Sequence, residues 1–149
     1  MRFGAKVCAA FDPKDDGKMI RDVLVFSPSE EHLCSLTCTQ LPDRRYSISI
    51  ACPEAEYSAV SVDAFDALEM IRLKLEAAGR MIAVQGSRRE AYASGLQRDM
   101  HGGIRAYICK MGEQIAMDDL VDIFAAADRD QVATVAEQHE WYRRWRASI

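Results

Sequence analysis

The sequence predicts an α+β fold: an antiparallel β-sheet packed by a central helix, with two further helices at the C-terminus. Three observations predict it. Before residue 61, apolar and polar residues alternate in short runs, as half-buried strands do. Between Val62 and Ala78 the period changes to three and four, as on one face of a helix. Two later stretches of helical period, each with acids in its first turn, close the chain.

The elements follow in order. Residues 3–11 are mixed apolar and end at Asp12-Pro13, a first strand. Asp15-Asp16-Gly17-Lys18 is turn chemistry. Val23 to Phe26 is β-rich and stops at Ser27-Pro28-Ser29. From Leu33 to Gln40, Cys34, Leu36 and Cys38 share one face, and Leu33, Ser35, Thr37 and Thr39 the other. Tyr46 to Ile50 alternates again after the Leu41–Arg44 turn, and a short strand runs from Tyr57 to Val60. Strands at such short spacing suggest an antiparallel meander. In the helix, Phe65, Leu68, Ile71 and Leu75 point inward; Ser61 is the expected N-cap and Gly79 the stop. Arg72 and Glu76 are expected to pair on its wet side. Met81 to Val84 and Ile104 to Cys109 read as buried strands, joined by a long polar connection from Gln85 to Gly103. A helix is expected from Met117 to Ala127, and a last one from Asp130 to Arg146, capped by Asp128 or Asp130, with Val132, Val135, Ala136 and His139 as its stripe. The expected core is Phe26, Leu36, Ile48, Ile50, Phe65, Leu68, Ile71, Leu75, Val84, Ile104, Tyr107, Ile123 and Phe124.

Composition narrows the function classes. A chain of 149 residues is one domain and buries enough surface to fold without a metal or disulfide staple. Its 19 Lys and Arg stand against 23 Asp and Glu, which argues against a broad nucleic-acid surface. Its five cysteines (Cys8, Cys34, Cys38, Cys52 and Cys109) include no Cys-x-x-Cys and read as free thiols in a reducing compartment. With no apolar stretch of signal-peptide or membrane-span kind, a cytoplasmic location is expected.

No metal site or cofactor is expected. Cys34 and Cys38 would stand about 13 Å apart on a strand at ~3.3 Å per residue, too far for one Zn²⁺. His32, His101 and His139 fit no ligand spacing. Ser94, Asp99 and His101 supply the residue types of a hydrolase triad, but no nucleophile-elbow motif accompanies them. Near the C-terminus, Trp141 to Arg146 is aromatic and basic. Stacking with cations suits single-stranded nucleic acid, but a helix packing two tryptophans on the core explains the same residues. The stronger candidate is the connection Gly86–Gly103, where Arg88, Arg89, Tyr92, Ser94, Arg98, Asp99 and His101 fall among four glycines. Long irregular loops are often functional, and arginines bind carboxylate or phosphate with two parallel hydrogen bonds. A solvated loop whose arginines pair with Glu90 and Asp99 is the competing reading.

Several of these residues also carry a resemblance. Gly86-Ser87-Arg88, Tyr92, Ser94-Gly95, Arg98-Asp99-Met100, Gly103, Ala106-Tyr107 and Leu120-Val121-Asp122-Ile123-Phe124 resemble a set of small, mostly uncharacterised bacterial proteins. In those, an Asn-Gly-Ala/Ser-Arg-like turn precedes a Val-Tyr/Trp-Pro-Ser-Gly-Met-x-Arg-x-Met-Gly-x-Gly-like loop, an Ala-Tyr-like strand and an Asp-Leu-Val-Asp-Ile-Phe-like helix. The likeness covers about a third of the chain. Ala93, Leu96 and His101 depart from it, standing where proline, methionine and glycine are common. Some such proteins lie beside Rhs-type polymorphic toxin genes. The resemblance therefore implies an immunity protein whose partner is a cognate toxin. The alternative is a small enzyme or anion-ligand-binding domain built on the Gly86–Gly103 loop.

Overall fold

The computed structural model describes residues 17–149; the strand expected over residues 3–11 lies outside them. Strands β1 (Lys18–Phe26), β2 (Glu31–Gln40), β3 (Tyr46–Ala51) and β4 (Glu56–Ser61) form the expected meander, followed by helix α1 (Ala64–Ala77) and the short strand β5 (Met81–Ile82). Together these five strands make an antiparallel sheet in the order β4-β3-β2-β1-β5. The register pairs Leu36 with Ile50 and Cys38 with Ile48, so the predicted inner face of β2 meets that of β3.

Helix α1 covers this inner face. Asp63, not Ser61, is its N-cap, accepting a hydrogen bond from the Asp66 amide at 2.8 Å. Ser61 instead bonds the Asp66 carboxylate from outside the helix. The helix ends at Gly79, whose φ is +77°. Phe65, Leu68, Ile71 and Leu75 are all buried, as their spacing predicted.

Arg72 does not lie on the wet side with Glu76. Its side chain is buried and bonds Gln138 Oε1 at 2.7 Å, the Ala133 carbonyl at 2.9 Å and the Gly86 carbonyl at 3.4 Å. The arginine follows the buried Ile71 round the helix, toward the C-terminal segment, where backbone carbonyls need donors. Glu76 accepts from the Val135 amide instead.

The connection after β5 is built, not irregular. It holds a 3-10 turn (Gln85–Ser87), strand β6 (Ala91–Tyr92) and helix α2 (Gly95–His101). Strand β7 (Arg105–Ile108) follows, so the second buried strand belongs to a separate three-stranded sheet ordered β6-β7-β8. The helix expected from Met117 to Ala127 is absent. There the chain makes a 3-10 turn (Met117–Asp119) and strand β8 (Leu120–Asp122), which pairs with β7. The decisive residue is Asp122. Its carboxylate is buried, bonded to Arg21 at 2.6 Å and to the Phe124 amide at 2.9 Å. This inward carboxylate, between β-branched Val121 and Ile123, favours an extended chain over a helix.

The final helix, α3 (Val135–Ser148), starts later than predicted. Thr134 caps it through a capping box with Glu137. Asp128 belongs to a separate 3-10 turn (Arg129–Gln131), and Val132 is extended, bridged to Arg88. Ala136 and His139 are exposed, and the buried stripe is Val135, Gln138 and Trp145.

Two expected core residues lie elsewhere. Phe26 falls on the outer face of β1, because Val23 and Val25 take the inner positions; its ring sits 4.5 Å beneath Arg129. Ile104 is half-buried at the core's margin. Tyr107 is buried, but in a smaller second cluster with Cys109 and Trp145. Among the described residues, no helix is long and apolar enough to cross a membrane.

Candidate functional site

Helix α2 organises the region that carries the predicted site residues. Ser94 is its N-cap, its hydroxyl accepting from the Gln97 amide at 3.1 Å. Gly102 ends it at φ +67°, pressed so closely on the ring of Tyr46 that any Cβ would collide with the phenol. A glycine here is therefore dictated by both backbone and packing. Gly103 then donates to the Gln97 carbonyl and the chain enters β7.

The seven predicted residues divide into three groups. Arg88, Tyr92 and Ser94 hold the fold. Arg88 donates to Gln85 Oε1 at 2.8 Å, and its carbonyl takes a hydrogen bond from buried Gln138. Tyr92 stacks on Tyr142 with ring centroids 3.7 Å apart and meets the edge of Phe65 at 5.8 Å. Arg89 stands apart, exposed, with its guanidinium 4.5 Å over Trp141. It lines a shallow recess on α3 with Trp141, Glu137, Glu140 and Arg144. Arg98, Asp99 and His101 meet in a third place, an open polar groove of about 590 Å³.

This groove lies between α2 and the β2–β3 turn. Arg44, Gln40 and Tyr46 line it from the turn side, and Val62, Met100 and Ile104 add apolar surface. Val62 is 73% exposed and Met100 67%, far above what a covered core allows. Leu96, one turn before Met100 on the same face of α2, is 66% exposed. Arg44 holds φ at +74°, and among the described residues it is the one non-glycine in the left-handed region. Arg98 contributes less charge than its position suggests. Its guanidinium lies 3.4 Å from the buried Asp63 carboxylate, donates from Nε to the Ala93 carbonyl at 3.0 Å, and covers the Phe65 ring at 4.9 Å. Burial, with smaller contributions from Cys38 and Asp63, raises the Tyr46 phenol above its ordinary pKa, so it remains neutral at pH 7.

The Ser94 hydroxyl serves as a helix cap, and among the described residues no hydrogen bond joins Ser94, Asp99 and His101. The C-terminal aromatics are structural. Trp141 and Trp145 donate their indole N–H groups to the carbonyls of Cys109 and Glu113 at 2.8 and 2.9 Å.

Sequence reasoning missed the turn side of the groove. In the sequence Arg44 shows only turn chemistry; the Pro-Asp-Arg order after a strand hides a bulge position that normally selects glycine or asparagine.

One cluster could hold a metal ion. The ligand atoms of Glu30, His32 and Glu54 lie within 4.8 Å of one another. Arg80 already bonds Glu54 Oε1 at 2.6 Å, and its positive charge opposes a second cation there. Cys34 and Cys38 share the inner face of β2, both buried.

No family model matches the chain. No curated protein is significantly similar to it.

Proposed function

We propose that this chain is a binding protein that acts by occluding a partner, and specifically an immunity protein whose partner is a toxin of the Rhs type. The observation that carries the reading is the groove between α2 and the β2–β3 turn, where Val62 and Met100 stand largely exposed beside Arg44, Asp99 and His101. Exposed apolar side chains rimmed by charge are the usual make-up of a protein contact surface. The immunity assignment itself rests on the resemblance carried by the Gly86–Phe124 segment. A cytoplasmic location accords with such a role.

The alternative, an anion-binding or catalytic loop, loses support from the same geometry. That reading draws on Arg88, Arg89 and Arg98 as its contacts. Arg88 is bonded to Gln85 and Arg98 to Asp63, while Arg89 pairs with Glu90 at 3.6 Å and lies over Trp141 on another face.

Where a Rhs-type toxin gene adjoins this one, co-expression of the two tests the proposal, and a neighbour of another class counts against it. The expected result is restored growth and a complex that survives purification. A toxin that is active alone and remains active beside this protein would overturn it.

A further inference from the structure

The inner face of the sheet changes character toward one end. Leu36 faces Ile50 within the core, and Ser35 pairs with Ala51 one position further along. The next inner pair is therefore Cys34 opposite Cys52, at the end of the sheet remote from the β2–β3 turn and its groove. The two Sγ atoms are 2.8 Å apart. That is inside the van der Waals separation of two sulfur atoms, although both residues are free thiols. Directly opposed residues on antiparallel strands have Cβ atoms about 4.5–5.5 Å apart. A disulfide needs about 3.5–4.5 Å, so closure asks only a small approach.

We propose that Cys34 and Cys52 form an oxidation site, closing to an intramolecular disulfide when the protein meets a two-electron oxidant of the peroxide class.

The two thiols divide the reaction by their surroundings. Cys34 is buried, and burial, reinforced by Cys52 beside it, pushes its thiol up to about 12. Cys52 is half-buried and is the thiol an oxidant can reach. Arg80 lies close enough for its charge to act on both, and its Nη1 is buried without a hydrogen-bond partner. Cys52 sulfur gives up its proton and attacks one peroxide oxygen; the O–O bond breaks, the leaving hydroxide takes that proton as water, and Cys52 becomes a sulfenic acid. Cys34 sulfur then attacks Cys52 sulfur, the S–O bond breaks, and the Cys34 proton leaves with the hydroxyl as water. In sum, two thiols are oxidised by two electrons and one peroxide is reduced to two waters. Cys38 and Cys109 take no part: both are buried, and burial raises their thiols to about 12 and about 11.

Peptide mapping after brief treatment of the reduced, native, full-length chain with hydrogen peroxide tests the assignment. The expected product joins the Cys34 and Cys52 peptides and leaves Cys38 and Cys109 open to alkylation. It should form at least about tenfold faster in native protein than in urea, because the sheet holds the pair together. In Cys34→Ala, Cys52 should instead accumulate as a dimedone-reactive sulfenic acid. Should that variant fail to fold, the native-against-urea comparison on the unsubstituted chain decides alone. A different cysteine pairing, an unlinked and over-oxidised Cys52, or equal rates in native and unfolded protein would each overturn the proposal.

Discussion

Arg44 holds a left-handed backbone at φ +74°, where an L side chain is disfavoured by about 1 kcal/mol relative to glycine. Its side chain lines the groove, so the strain sits at the surface proposed for binding. Arg44→Gly should therefore stabilise the fold by about 0.5–1 kcal/mol in urea unfolding. It should also weaken partner binding more than about tenfold, ~1.4 kcal/mol. Equal binding by the glycine variant would show the arginine to be incidental. A second residue-scale expectation concerns buried thiols. Burial lifts Cys38 to about 12 and Cys109 to about 11, from an ordinary value of 9.0. In the folded state these groups keep their protons over a range where the unfolded chain releases them. Their contribution to stability is complete below about pH 9 and is lost as pH rises toward the folded values. Urea midpoints measured under reductant should fall from pH 8 to pH 10, and Cys38→Ala should flatten that fall.

Elements show which sequence signals were legible. Period-two alternation in β2 and β3 and the Phe65-Leu68-Ile71-Leu75 stripe of α1 depend on one face meeting the core, so each located its element. Leu68 is fully buried, and Leu68→Ala should cost ~2–5 kcal/mol by chemical denaturation. Gly86 provides a sharper test of the same packing, since a Cβ there would lie 2.6 Å from Leu68 Cδ2 and 2.9 Å from Ile123 Cβ. Gly86→Ala should cost ~1–3 kcal/mol by overpacking, and less in the Leu68→Ala background, where one of the colliding groups is gone. The misread elements depended on distant partners. Asp122 turns inward for Arg21, a residue 101 positions away, and this makes β8 a strand although its apolar spacing also suits a helix. Arg72 is buried for Gln138 and Ala133, which the sequence near α1 does not announce. In the Gly86–Gly103 connection the local signals were present: Ser94 as cap, Leu96 and Met100 one turn apart, and Gly102 as stop. They were outweighed by the density of glycine and arginine.

At the scale of the molecule, one large core between α1 and the five-stranded sheet and a smaller one under α3 hold the groove between α2 and the β2–β3 turn. The candidate site was half legible: Arg98, Asp99 and His101 were named from the sequence, whereas Arg44 and Val62 reach the groove only through the register of β2 on β3 and the entry to α1. The sequence's net charge of −4 adds a kinetic expectation. Against a basic partner, reversing exposed acids should slow association and reduce its dependence on salt, as stopped-flow mixing would measure. The most direct test is the affinity of Val62→Asp and Met100→Glu variants for the toxin proposed as partner, measured by calorimetry beside their thermal midpoints. Midpoints should be unchanged, because both side chains are exposed, and each variant should weaken binding more than about tenfold. Full affinity in both folded variants would contradict the proposed binding surface.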